Sequence, residues 1–264
     1  MEPPPGTFLL EPLSLTERAQ LAGEFVTQNG FVHSTPGCDA FEKETGSQSF
    51  KLRINEYGLI SKFSWCPGRR LDVEITDKAK AIETAKDFLV RNAKFTGVAR
   101  KEDLKVTGAY PIAGCLARCG GDDAEFGATG MKVRFANQIQ DGLEVPGTEI
   151  EAFVNAETMY QIYGHWYPRI EFKRLANLSE TEAMEAVVGT QLTHYNIAGM
   201  PVEETVTRGD VRRAELAVAP RHYPGKGLAF QLEWKVFVAT PLPWVIWLDD
   251  ATGNVVRVEQ RFAT

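Results

Sequence analysis

From Leu228 to the C-terminal Thr264 the chain alternates apolar and polar side chains so regularly that an antiparallel sheet is the natural way to accommodate it. Leu228, Phe230, Leu232, Trp234, Val236 and Val238 take every even position, with Gln231, Glu233 and Lys235 among the odd ones. Side chains two apart share a face of a strand, so the pattern predicts a long strand with one buried face. A second apolar run, Trp244 to Leu248, leads into the turn-forming Asp249, Asp250, Ala251, Thr252 and Gly253. Val256, Val258 and Phe262 then alternate with Arg257, Glu259 and Arg261. Three antiparallel strands follow from this chemistry, with Trp234 at the centre of the buried face and expected beneath a helix.

Helix signals precede strand signals three times. Ser14 and Glu17 have capping-box spacing, Leu21, Ala22, Phe25 and Val26 form a stripe, and Asn29-Gly30 ends a helix expected over 15–29. A Gly-, Pro-, Ser- and Thr-rich linker over 34–47 leads to a hairpin expected over 50–65, turning at Asn55-Glu56-Tyr57-Gly58. A second amphipathic helix is expected over 77–93, with Ala81, Ile82, Ala85, Phe88 and Leu89 on one face. Strands are expected over 104–110, 131–139, 148–154 and 159–163, with 114–130 as a long loop. The box Ser179-Glu180-Thr181-Glu182 opens a third helix expected to reach about His194, followed by a loop over 196–210 and a strand over 215–219. Turns at 55–58, 155–158 and 250–253 hint at duplicated helix-on-sheet units.

With 264 residues, 44% of them hydrophobic and 24% charged, the chain can bury a substantial core in one or two domains. Its formal charge of −6 supplies no overall attraction for nucleic acid or an anionic membrane. No apolar run approaches the roughly 18 residues of a membrane span, so no transmembrane segment is expected. The start, Met1-Glu2-Pro3-Pro4-Pro5-Gly6, lacks the basic and apolar regions of a signal peptide. It fits a cytosolic start or a mature chain whose export signal has been removed.

The four cysteines leave the compartment open. Cys115 and Cys119 lie in a glycine-rich stretch and are candidates for a small disulfide loop, as are Cys38 and Cys66 for a second bridge. Free thiols are the alternative. A metal site would need a second pair of ligands that no CxxC knuckle or histidine pair supplies.

Several of these segments resemble a known pair of modules. Ala81, Ala85 and Phe88-Leu89, then Val133-Arg134-Phe135, then Gln138, Gly142, Val145 and Gly147 in a Q-x-x-x-G-x-x-V-x-G arrangement, then 150–155, resemble the FTP module of fungalysin and thermolysin propeptides. The stretch 179–262, with Leu216 to Pro220, Leu232-Glu233-Trp234-Lys235-Val236, Trp244 to Leu248 and Asp250-Ala251-x-Gly253, resembles the PepSY module that follows it. The resemblance implies an α+β fold, with helices packed on antiparallel, cystatin-like sheets. The corresponding division is an N-terminal helix-and-hairpin extension over 1–75, an FTP-like module over 76–170 and a PepSY-like module over 171–264. It also implies a non-enzymatic, propeptide-like protein outside the cytoplasm or in the cell envelope that binds and inhibits, chaperones or regulates a secreted peptidase, its partner being that peptidase or an extended peptide. A small-ligand or envelope-binding module with a concave sheet is the alternative.

No catalytic residue and no cofactor is expected. None of His33, His165, His194 and His222 begins an HExxH helix, and neither a GxSxG elbow nor a phosphate-binding glycine loop is present. The pairs Asp249-Asp250 and Glu203-Glu204 read as turn and solvated-loop residues. His165, Trp166 and Tyr167, at the junction of the two resembling modules, are the candidates for partner binding because aromatic residues dominate interface hot spots. Packing at that junction is the competing role.

Overall fold

A computed structural model describes residues 3, 8–31, 50–65, 77–117, 125–155, 158–173, 175–195 and 197–261, without the side chains of residues 50, 115–117 and 126. The fold is mixed α+β with antiparallel sheets, and the chain forms two compact units. The first comprises residues 1–10, 139–146 and 170–264, and the second 11–138 and 147–169. These boundaries cut across the three consecutive segments expected from the sequence, because strand pairing joins stretches distant in the chain.

The second unit is built on a six-stranded sheet of β1 (Phe50–Ile54), β2 (Ile60–Trp65), β8 (Met159–Tyr163), β7 (Ile150–Val154), β4 (Glu125–Phe135) and β3 (Val106–Ala117), in that order. The hairpin β1–β2 turns where expected: Asn55 Oδ1 accepts from the amides of Tyr57 and Leu59, and Gly58 takes the left-handed φ of 81°. It is no separate extension, since β2 pairs with β8 in the same sheet. Among the described residues, three α-helices belong to this unit: α1 (Leu15–Asn29), α2 (Lys78–Arg91) and the short α3 (Ala93–Thr96). Ser14 and Glu17 form the anticipated capping box on α1, and Asp77 caps α2. One face of the sheet packs against these helices. Leu52, Phe63, Ile162, Ala152, Val133 and Ala109 lie side by side across the strands and meet Phe25, Ala85, Phe88, Leu89 and Phe95. The segment expected as a loop over 114–130 is largely strand at both ends, with β3 reaching Ala117 and β4 starting at Glu125.

The first unit holds a sheet in the order β14 (Val255–Gln260), β13 (Pro243–Asp249), β12 (Gly227–Ala239), β11 (Val211–Tyr223), β6 (Leu143–Val145) and β5 (Gln138–Gln140). All described pairings are antiparallel except β6 with β11. The even face of β12 behaves as its alternation predicts. Trp234, Val236 and Val238 pack with Ile246 and Leu248 of β13 and with Ala183 of α4 (Glu180–Ala186). The odd face is not left to solvent. Glu233 and Lys235 are only 5% and 6% exposed. Arg221 bridges Glu233 at 2.6 Å and Asp249 at 2.8 Å, while Lys235 pairs with Glu144, and each buried charge therefore has an opposite partner.

Helix α4 stops at Ala186, well short of His194. Val187, Val188 and Thr190 are β-branched and Gly189 adopts a φ of 89°, so the chain leaves the helix and enters β9 (Gln191–Tyr195). β9 pairs with β10 (Pro201–Thr205), which occupies part of the expected loop. Glu203 and Glu204 thus lie on a strand, and Asp249 and Asp250 are buried turn residues at 9% and 2% exposure rather than solvated ones. Asp249 Oδ1 accepts from the amides of Ala251 and Thr252, which fixes the β13–β14 turn.

Candidate functional site

The face of the second unit's sheet turned away from its helices carries two rows of side chains. Paired residues in adjacent strands share a face, so strand register places Arg53, Lys62, Tyr163, Glu151, Arg134 and Gly108 in one row. Lys51, Ser64, Gln161, Phe153, Lys132 and Tyr110 form the next. Across the two rows Lys51, Arg53, Lys62, Lys132 and Arg134 stand against the lone carboxylate of Glu151. A chain with a formal charge of −6 thus presents a locally cationic sheet face.

Within the rows, cations and aromatic rings organise one another. Lys62 Nζ lies 5.1 Å from the centre of the Tyr163 ring, and Lys132 Nζ 5.7 Å from that of Phe153. Phe153 meets Tyr163 edge-on at 5.8 Å and Tyr160 at 6.4 Å. Glu151 accepts from Lys132 at 2.8 Å and from Arg134 at 2.9 Å, using the same Oε1. Gly130 makes room for the Tyr160 hydroxyl, which would stand 2.9 Å from a Cβ at that position. Burial pushes the Tyr160 phenol up to about 12, so it remains a neutral donor. The face offers fixed positive charge and aromatic edges to an anionic partner.

The residues singled out from sequence adjoin this unit's core. Trp166 is 4% exposed and packs in the core, with its amide donating to the Thr96 carbonyl at 2.8 Å. Gly97 is required for that approach: its φ is 74°, and a Cβ there would meet the Trp166 carbonyl oxygen at 1.8 Å. His165 and Tyr167 are half-buried and touch each other edge-on at 5.2 Å. Burial lowers the His165 imidazole below its ordinary value, partly offset by the Ile60 backbone beside it, and Asn55 Nδ2 sits 3.2 Å from its Nε2. Gln138, the first residue of the Q-x-x-x-G-x-x-V-x-G arrangement, clamps the Tyr167 backbone from both sides: Nε2 donates to its carbonyl at 2.8 Å and Oε1 accepts from its amide at 2.9 Å. The structure brings His165, Trp166 and Tyr167 together as a packed segment.

Cys115 lies on β3, but its side chain and the whole of Cys38, Cys66 and Cys119 fall outside the described residues, as does Phe262. Among the described residues, no group of three or more His, Cys, Asp or Glu is placed to hold a metal ion, and no helix is long and apolar enough to cross a membrane.

The cationic rows were legible only as fragments. Lys51-Leu52-Arg53-Ile54 and Lys132-Val133-Arg134-Phe135 both alternate charge with apolar residues, yet only the pairing of strands far apart in sequence assembles them on one face.

Neither the protein families nor the curated proteins compared with this chain contain a match. Among solved structures, the C-terminal domain of YpeB from Bacillus megaterium is similar over 96% of this chain and 100% of its own, at 11% identity and a TM-score of 0.36. A score of that size carries no inference about fold or function.

Proposed function

We propose that this chain is a non-enzymatic binding protein whose second unit takes an extended, acidic segment of a partner protein on its open sheet face. The cationic rows carry this reading: Lys51, Arg53, Lys62, Lys132 and Arg134 lie in two adjacent rows whose one carboxylate is Glu151. Carboxylates spaced along an extended peptide match charges spaced along a sheet, and aromatic edges accept the intervening apolar side chains. Single-stranded nucleic acid fits less well, because Lys62 and Lys132 and the neighbouring rings already lie against the aromatic surfaces on which bases would stack. The resemblance to FTP and PepSY modules names the partner class, a thermolysin-type peptidase held or restrained by the chain outside the cytoplasm or in the cell envelope.

Fluorescence anisotropy with labelled peptides tests the reading. A Glu-rich extended peptide should bind, weaken as salt is raised, and outcompete both a Lys-rich peptide of equal length and a single-stranded oligonucleotide. Exposed charge pairs contribute about 0.2–1 kcal/mol each, so reversing two cations in Arg53→Glu/Lys62→Glu should weaken binding by about tenfold. The same variant should lose any slowing of a thermolysin-type peptidase acting on a small peptide substrate. Equal binding of acidic and basic peptides, or a charge-reversed variant that binds as well as wild type, overturns the assignment.

A further inference from the structure

The first unit leaves β14 on the open edge of its sheet, and that strand is unusually apolar for an edge. Val255, Val256 and Val258 are 41%, 41% and 39% exposed. Sheet edges are commonly protected by lysine, proline or inward-pointing charge, because an open row of amides and carbonyls will pair with another strand. Here the charges are one Arg257 and one Glu259, spaced two apart on the same face.

The hydrogen-bonding direction of each residue follows from the register. The Arg261 amide donates to the Pro243 carbonyl at 2.8 Å, so the pair 243/261 is a hydrogen-bonded one, and antiparallel ladders alternate. Glu259 and Arg257 therefore point their backbone groups inward to β13. Val258 and Gln260 point theirs outward. A strand arriving at this edge meets the amide and carbonyl of Val258 first, flanked by Arg257 and Glu259 on one sheet face and by the Val258 side chain on the other.

We infer that the strand fitting this edge is β14 of a second copy of the chain, paired antiparallel about a two-fold axis through Val258. In that register each Val258 amide donates to the other Val258 carbonyl. Arg257 of one copy lies opposite Glu259 of the other, twice, in non-hydrogen-bonded pairs where side chains stand closest. Arg257 is already positioned for this, with its guanidinium 4.2 Å from the centre of the Trp247 ring and its Nε 2.8 Å from Glu259 of its own strand. On the opposite face the two Val258 side chains cover each other beside Ile246. Centring the pair one residue later, on Glu259, would oppose glutamate to glutamate and Arg257 to Arg261. Charge thus selects the register.

The β-bulge between Trp247 and Leu248 shifts the pairing around Val256 and restricts a regular added ladder to the second half of β14. So short a ladder buries less surface than a standard stable interface, and the dimer is accordingly weak and concentration-dependent. It uses a different unit from the cationic rows and stands or falls independently of them.

Sedimentation equilibrium over a wide range of protein concentration tests the inference. Wild type should show a monomer–dimer equilibrium. Arg257→Glu and Glu259→Arg should each weaken it by about tenfold or more, since every attractive cross-strand pair becomes a repulsive one. An equimolar mixture of the two variants should associate again as a heterodimer, because their edges are then complementary. Val258→Pro removes an outward amide and leaves the β13 ladder intact, so it should abolish association while circular dichroism stays unchanged. Wild type that remains monomeric at the highest concentration overturns the inference, as does a mixture that associates no better than either variant alone.

Discussion

Asp250 offers a sharp test of how the first unit is held together. Its carboxylate is 2% exposed and accepts four hydrogen bonds: from the Asn177 amide at 2.8 Å, Asn177 Nδ2 at 2.9 Å, the Leu178 amide at 3.2 Å and Trp234 Nε1 at 3.0 Å. One side chain in the β13–β14 turn thereby ties the segment leading into α4 to the central tryptophan of β12. Replacement by alanine removes the acceptor and leaves its donors behind. Hydrogen bonds to a charged group contribute about 1.5–3 kcal/mol each, but Asn177 is exposed and its donors can turn to water. The Trp234 and Leu178 donors account for most of the loss, so Asp250→Ala should cost about 3–5 kcal/mol. For a unit of this size that corresponds to a fall of roughly 10–20 °C in melting temperature. Trp234→Phe keeps an aromatic side chain but removes one of the four bonds together with the volume of the pyrrole ring, and should cost about 1–3 kcal/mol. Melting curves followed by circular dichroism and tryptophan fluorescence measure both. An Asp250→Ala protein melting within two or three degrees of wild type would refute the reasoning.

The junction segment gives two further expectations. Trp166→Ala should destabilise the second unit by about 3–5 kcal/mol through loss of a buried aromatic side chain, and in protein that remains folded the affinity for an acidic peptide should be unchanged. A melting point close to wild type together with lost binding would instead assign Trp166 to the partner surface. Burial lowers the His165 pKa beneath its ordinary 6.5, so the folded state binds fewer protons than the unfolded one as the pH drops through that value. The stability linked to neutral His165 is complete above about pH 6.5 and is lost as the pH falls toward the folded-state value. Melting temperatures from pH 8 to pH 5 should therefore decline more steeply for wild type than for His165→Gln, and parallel curves would contradict the assignment.

Local chemistry carried the elements with the strongest signals. The box of Ser14 and Glu17 and the left-handed Gly30 bound α1 at Leu15 and Asn29, and the box at Ser179 starts α4, because caps satisfy backbone groups within a few residues of themselves. The end of α4 at Ala186 falls short of the helix its sequence suggests, since Val187 continues the apolar stripe that a helix would need while Gly189 and the pairing of β9 with β10 redirect the chain. The candidate site was less legible. His165, Trp166 and Tyr167 stood out by composition, but whether an aromatic residue is buried depends on what packs over it, and Trp166 lies among residues of the core around Phe25 and Phe88.

Period-two alternation in β12 determined which of its faces carries the apolar core, since neighbouring side chains on a strand must point to opposite sides. What occupies the other face was decided elsewhere in the chain: Glu144, Arg221 and Asp249 neutralise Lys235 and Glu233, and without those partners the two charges would not be buried. The cationic rows of the second unit have the same origin. Each lysine or arginine is an ordinary polar position of its own strand, and only hydrogen bonding between strands drawn from both ends of that unit's sequence gathers them onto one surface. Alternation is a property of adjacent residues, whereas the charge of a sheet face is a sum over strands that the sequence alone does not place side by side.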